Sequence, residues 1–275
     1  MRKKPLTLFF ILAFAISWGI PGLGMLAGML FENFEFSLGP ASPFSYIAIW
    51  APMLSAFITI FVTAGWEALK AYWKRCITFT GHWGWYLGVI VGIPVVFFIA
   101  AAISQAMGQN AIEWPSGVWL GAFLLVNLQR GIQGPFEEIG WRGLALPLLQ
   151  KKHPAWRAAL ILGVFWAVWH FPALILDSFL NDVIAGGLVW VLARFLLNIL
   201  ITSLLMTIVY NGSNGSIPLM FIYHWLINLH YPWEPKSGIP GMQDVVSFIV
   251  LVVLAIIFGK RYLGTENRVD AYIGE

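Results

Sequence analysis

Glu137 and Glu138 stand side by side, and Arg142 follows four residues after the second, in a chain that otherwise carries little charge in its apolar runs. A single ionised group at mid-bilayer costs roughly 2.5–3.5 kcal/mol on insertion scales. Three together need internal partners, a wet cavity or a function. On a helix Glu138 and Arg142 are i and i+4, so they share a face and can pair. Glu137 points about 100° away and is left to face something else. Two readings are open here: an ion-pair cluster that locks helices together, or a proton-handling site.

Three further polar side chains fall at comparable depth. The run Trp166-Ala167-Val168-Trp169-His170-Phe171-Pro172 places a histidine in an apolar stretch, with a proline able to loosen the backbone after it. His224 and Asn228 are again i and i+4, hence on one helical face. Asn214-Gly215-Ser216-Ile217-Pro218, just before them, reads as a tight turn and a helix-start proline. Each has a plain explanation taken singly. A lone membrane histidine makes an interhelical hydrogen bond, and an asparagine is helix glue worth about 0.6 kcal/mol. Arg130, Arg194 and Asn198 read as packing and charge balance, and His82, His153 and His230 fall at span ends. In combination, Glu137, His170, His224 and Asn228 supply a base, a second proton-handling group and two hydrogen-bond donors. That set can activate a water and stabilise an oxyanion.

The elements that must position these groups are membrane spans. Of 275 residues, 59% are hydrophobic and 11% charged, against about 25% charged in a soluble domain. The mean hydropathy is +0.78. The chain is expected to be all-α, a single polytopic membrane domain over residues 1–275 with about eight transmembrane helices. The first apolar run, Leu6 to about Leu30, exceeds a signal-peptide core and is read as a retained span. Others are expected near Phe44–Gly65, Trp83–Met107, Val118–Gln150, Ala155–Leu176, Val183–Tyr210, Ile217–Tyr231 and Val245–Leu263. The fourth is long enough to be tilted or broken, and Gly131, Gly134 and Pro135 supply the means. The seventh is short.

Charge placement orients the bundle. With the N-terminus inside, Lys70, Lys74 and Arg75; Lys151, Lys152 and Arg157; and Lys260, Arg261 and Arg268 all fall in inside segments, with only Lys236 outside. The positive-inside rule therefore makes both termini cytoplasmic. The sequence pI near 9.0 does not imply a nucleic-acid partner, because the basic residues lie in short patches between apolar spans. Residues 67–75 read as an interfacial helix with Trp73 at headgroup depth, or more plainly as a solvated loop. The glycosylation-like Asn211 and Asn214 fall inside and are discounted. Cys76, alone, excludes an intrachain disulfide and a cysteine zinc cluster.

At these motifs the chain resembles the CAAX-protease and bacteriocin-processing (CPBP, or Abi) family of intramembrane peptidases. The family pattern is Glu-Glu-x-x-x-Arg, Phe-x-x-x-His and His-x-x-x-Asn on successive helices of an eight-helix bundle. Glu137, Glu138 and Arg142 match the first, and His224 and Asn228 the third. In the second, Trp166 stands where Phe is usual, a change expected to affect an aromatic wall only. The resemblance covers 118–231, taken as the catalytic core. It implies that Glu137, oriented with His170, activates water, that His224 and Asn228 hold the oxyanion, and that Glu138 and Arg142 are a supporting pair. The expected substrate is a membrane-associated peptide or protein, of CAAX type or a leader peptide.

Two rivals belong to other classes. Intramembrane Glu, His and Arg also build proton- or ion-coupled transporters, but those often show pseudo-symmetric halves, and no repeat is visible. The other is a non-catalytic peptide-binding immunity protein, against which the intact motifs argue. No cofactor is expected. The ambiguity is zinc, for which Glu137, His170 and His224 would form a His₂Glu set with an open position. Asn228, on the His224 face, reads instead as an oxyanion donor, which takes His224 out of the ligand set.

Overall fold

The computed structural model describes residues 4–31, 42–109, 117–180, 187–231 and 242–272. The architecture is a helical bundle, with no strand among the described residues. In chain order the helices are α1 (Pro5–Leu30), α2 (Pro43–Ile49), α3 (Ala51–Ala64), α4 (Trp66–Ile77), α5 (Trp83–Ala106) and α6 (Val118–Gln133). A 3₁₀ turn (Gly134–Phe136) leads into α7 (Glu137–Gly140), a π turn (Trp141–Ala145) and α8 (Leu146–Gln150). Then come α9 (Ala155–Leu180), α10 (Leu188–Gly212), α11 (Ile217–Asn228) and α12 (Met242–Tyr262).

Five of the described helices, α1, α5, α9, α10 and α12, are long and apolar enough to cross a bilayer, and the pair α2–α3, bent by 57°, is a broken span or a re-entrant loop. Their outward faces explain why they need lipid. The apolar window of α12 has a mean hydropathy of 2.4 yet only 11% of it is buried inside the protein. Ile256, Leu23 and Leu197 point outward, where water would oppose them.

The other two expected spans take different forms. Residues 118–150 are a broken path, interrupted at Gly134 and Pro135 as the composition suggests, and from Glu137 to Gln150 every residue is buried. The seventh is a helix of 12 residues, about 18 Å long and so shorter than the roughly 30 Å hydrocarbon core. It starts as expected. Ser216 caps it, its Oγ accepting from Leu219 N at 3.3 Å, and a proline occupies the first turn. Asn214 (φ 55°) and Gly215 (φ 75°) turn the chain just before it.

Residues 66–77 form a helix, so the solvated-loop reading of this stretch is corrected. Tyr72 and Cys76 face the core while Trp66, Trp73 and Ile77 are exposed. Gly65, at φ 86°, turns the chain between α3 and α4.

At the centre sits an aromatic cluster. Trp141 meets Phe9 edge-on at 5.4 Å and Trp169 at 5.9 Å, and Phe10 stacks on Phe165 at 4.1 Å. The α3 helix packs closely on the glutamate segment. There Gly140 lies against the Pro52 backbone, in a space that any Cβ would fill.

The basic segments gather at one end of the bundle. Arg268 donates to the His153 carbonyl at 3.0 Å, Gln150 to the Val269 carbonyl at 2.6 Å, and Ala155 N to the Gly264 carbonyl at 2.9 Å. Asn211 is buried and bonded to Gln150, the Tyr262 carbonyl and Val269 N, so its place is structural. At the opposite end Asp244 accepts from Arg194 at 2.8 Å and Asn198 at 2.6 Å, the charge balance expected of those residues.

Candidate active site

The glutamate segment is helical but not uniform, and that shapes what each carboxylate meets. Arg142 Nη1 donates to both Glu138 oxygens, at 2.9 and 3.0 Å, with both side chains fully buried. The i,i+4 pairing holds although Arg142 lies in the π turn. The guanidinium also lies over the Trp166 ring, 4.2 Å from its centroid, a cation–π contact that strengthens away from water. Its Nε and Nη2 have no hydrogen-bond partner among the described residues.

Glu138 does more than pair with Arg142. Its Oε1 lies 2.7 Å from His224 Nδ1 on α11. A carboxylate held by Arg142 accepts there, so Nδ1 carries the hydrogen and Nε2 points the other way. The direction is visible at Gly134. A Cβ built on that glycine would sit 2.9 Å from His224 Nε2 and 2.6 Å from Asn228 Nδ2. The two nitrogens of the third motif therefore converge over a backbone position kept bare by glycine. Asn228 is held by its own carbonyl, which accepts from Arg130 Nη1 at 2.9 Å.

Glu137 is buried, and its Oε2 accepts from two indoles, Trp166 Nε1 at 3.0 Å and Trp141 Nε1 at 3.2 Å. The expectation for Trp166 is thereby corrected. It is a wall, but it also bonds the carboxylate, which a phenylalanine could not do. Trp141 is the residue that sequence reasoning passed over. Its spacing of four from Glu137 was a readable signal, since that places both on one face. Gly134 was legible only as a helix breaker.

On α9, His170 Nδ1 lies 2.8 Å from the Trp166 carbonyl. A carbonyl only accepts, so Nδ1 is the protonated nitrogen and Nε2 of the neutral ring is an acceptor. The helix runs unbroken through Pro172.

The four residues come together. Glu137, His170, His224 and Asn228 all line one cavity of about 770 Å³ between α5, α10, α11 and α12, whose walls include Val89, Phe97, Leu205 and Leu254. A second cavity, of about 930 Å³, lies among α1, α2, α6 and α9. Glu137, His170 and Asn228 form part of the wall of both. Among the described residues, no three of His, Cys, Asp and Glu are gathered closely enough to hold a metal ion. Glu137, His170 and His224, the candidate zinc set, form no such group.

Residues 117–230 match the family described as Type II CAAX prenyl endopeptidase Rce1-like. Over 144 residues the chain is 30% identical to CAAX prenyl protease 2 of Methanococcus maripaludis, covering 52% of this chain and 50% of that protein. The chain thus spans about half the length of the curated relative it matches. All three motifs lie inside the matched segment, so it is in the part of the chain that carries them that the likeness to CAAX-type endopeptidases falls.

Proposed function

We propose that this protein is an intramembrane endopeptidase that hydrolyses a peptide bond of a membrane-associated substrate, by glutamate-activated water and without a covalent intermediate. The observation that carries the reading is the convergence of His224 Nε2 and Asn228 Nδ2 over Gly134, in a cavity that Glu137 and His170 also line. A carboxylate that can take a proton faces the same space as two nitrogens that can hold an oxyanion.

Each residue has a definite task. Glu137, its plane fixed by two indole N–H groups, takes a proton from a cavity water as that water attacks the scissile carbonyl. His170, an acceptor at Nε2, orients the water. Asn228 Nδ2 donates to the developing oxyanion. His224 donates beside it in its protonated form, since Nδ1–H is already committed to Glu138. Glu138, Arg142 and protonated His224 then form a buried triad in which the two cations flank one carboxylate, and ionised Glu137 balances the remaining charge. The proton gained by Glu137 passes to the leaving amine. The substrate is a CAAX-type protein or a peptide precursor, since the relative's name specifies a prenyl protease and the site is walled by apolar spans. Both termini are cytoplasmic, a reading supported by the gathering of basic segments at one end of the bundle.

The test is purified protein in liposomes with an internally quenched farnesylated CAAX peptide and, separately, an unprenylated leader peptide. Cleavage of either by wild type, abolished by Glu137→Gln, supports the reading. Intact peptides in both arms, with proton or ion flux in a loaded-vesicle assay, would make the protein a transporter instead.

A further inference from the structure

Arg75 has the look of one more positive-inside charge, beside Lys70 and Lys74 on α4 and outside the matched segment. Its surroundings are of another kind. Nη1 donates to the Gly143 carbonyl at 2.8 Å and to the Tyr272 carbonyl at 3.3 Å. Nη2 donates to the Gly215 carbonyl at 3.4 Å and to the Tyr210 hydroxyl. Gly143 follows Arg142 in the π turn. Gly215 belongs to the turn that opens α11, the helix carrying His224 and Asn228. One planar side chain therefore spans the two segments whose mutual placement makes the site.

Tyr72, three residues earlier on α4, works on the same segment. Its hydroxyl donates to the carbonyl of Ile139, the residue after Glu138. Where a helix widens from i+4 to i+5 bonding, as at a π turn, one carbonyl loses its ordinary partner, and a buried one needs another. The Tyr72 hydroxyl also lies where a Cβ on Gly143 would be, so the glycine is what admits the tyrosine.

We propose that Arg75, assisted by Tyr72, is a positioning residue of the site: it holds the glutamate-bearing segment and the start of α11 in one register. The proposal rests on the peptidase reading for its catalytic consequence. It does not rest on it for its geometry. A guanidinium fork can bridge two carbonyls at once, whereas an ammonium supplies the same charge from a single point. A topology charge is therefore interchangeable with lysine, and a positioning fork is not.

The experiment is Arg75→Lys in the full-length protein in liposomes, with Tyr72→Phe as a second, milder variant. With the farnesylated peptide, kcat falls on the order of 10- to 100-fold in Arg75→Lys while KM stays within about twofold, the signature of misplaced rather than unbound substrate. Amide exchange accelerates in both 139–145 and 215–219 for Arg75→Lys, and in 139–145 alone for Tyr72→Phe. Cys76, the chain's one thiol, controls for undocking of α4. It is buried, and burial pushes its thiol up to about 12, so maleimide labelling stays slow while α4 is seated. Wild-type kcat and exchange in Arg75→Lys would overturn the proposal. Rapid Cys76 labelling with exchange raised across the whole bundle would overturn it too, by assigning Arg75 to general stability. If wild type cleaves no peptide, the peptidase reading fails, and exchange in the two segments still decides whether Arg75 joins them.

Discussion

Glu138 Oε1 and His224 Nδ1 lie 2.7 Å apart across 86 residues of sequence, which ties the first motif to the third. The carboxylate that pairs with Arg142 is thus also the group that aims the His224 ring. A structural ion pair and an orienting hydrogen bond are one feature here, so the two readings of the glutamate pair open at the start do not compete. Glu138 carries the structural one, and the proposed function assigns the chemical one to Glu137.

Glu137→Gln is expected to lower turnover by about 10²–10⁴-fold, the usual contribution of a general base, with the protein still folded. The amide oxygen can still accept from the Trp141 and Trp166 indoles, so the side chain stays in place. Retained helicity by circular dichroism and near-wild-type cleavage in the same sample would show that Glu137 is not the base.

Glu138→Gln is expected to damage stability as well as activity. Arg142 loses its counter-charge and His224 Nδ1 its carboxylate acceptor, and breaking a buried pair costs on the order of 3–5 kcal/mol. A thermal-shift series should show a clearly lower melting temperature for Glu138→Gln than for Glu137→Gln. Equal melting temperatures would assign the pairing a smaller role than its full burial indicates.

Gly134→Ala inserts a methyl group where Asn228 Nδ2 and His224 Nε2 converge. Turnover should drop by about 10²–10³-fold, as for loss of an oxyanion donor, with little change in expression. Full activity of Gly134→Ala would mean that the two nitrogens do not act on the substrate at that point.

Strong chelation is expected to leave activity unchanged, and elemental analysis of purified protein to find no stoichiometric zinc. Asn228 beside His224 suits an oxyanion better than a metal. One zinc per chain, with activity lost on chelation and restored by zinc, would turn His224 from donor to ligand.

A reporter fused after Glu275 should be active in the cytoplasm, and one placed at residues 110–116 on the other side; both points lie outside the described residues. An externally active C-terminal fusion would invert the bundle or remove a span.

What the sequence determined by itself was whatever depends on local spacing. Apolar runs long enough to span gave α1, α5, α9, α10 and α12, because lipid selects length and hydropathy directly. The Glu138–Arg142 pair and the Ser216–Pro218 helix start were legible for the same reason, being contacts within one turn of chain. Tertiary structure decided what depends on how helices are rotated and at what depth they meet. Hydropathy does not encode the rotation that brings Trp166 Nε1 to Glu137 or His224 Nδ1 to Glu138. Gly134 read as a breaker because nothing in its neighbourhood along the chain reveals two nitrogens from α11 above it. Arg75 was hidden most completely. Its charge already satisfied the positive-inside rule, and only the folded chain brings the carbonyls of Gly143 and Gly215 to one guanidinium.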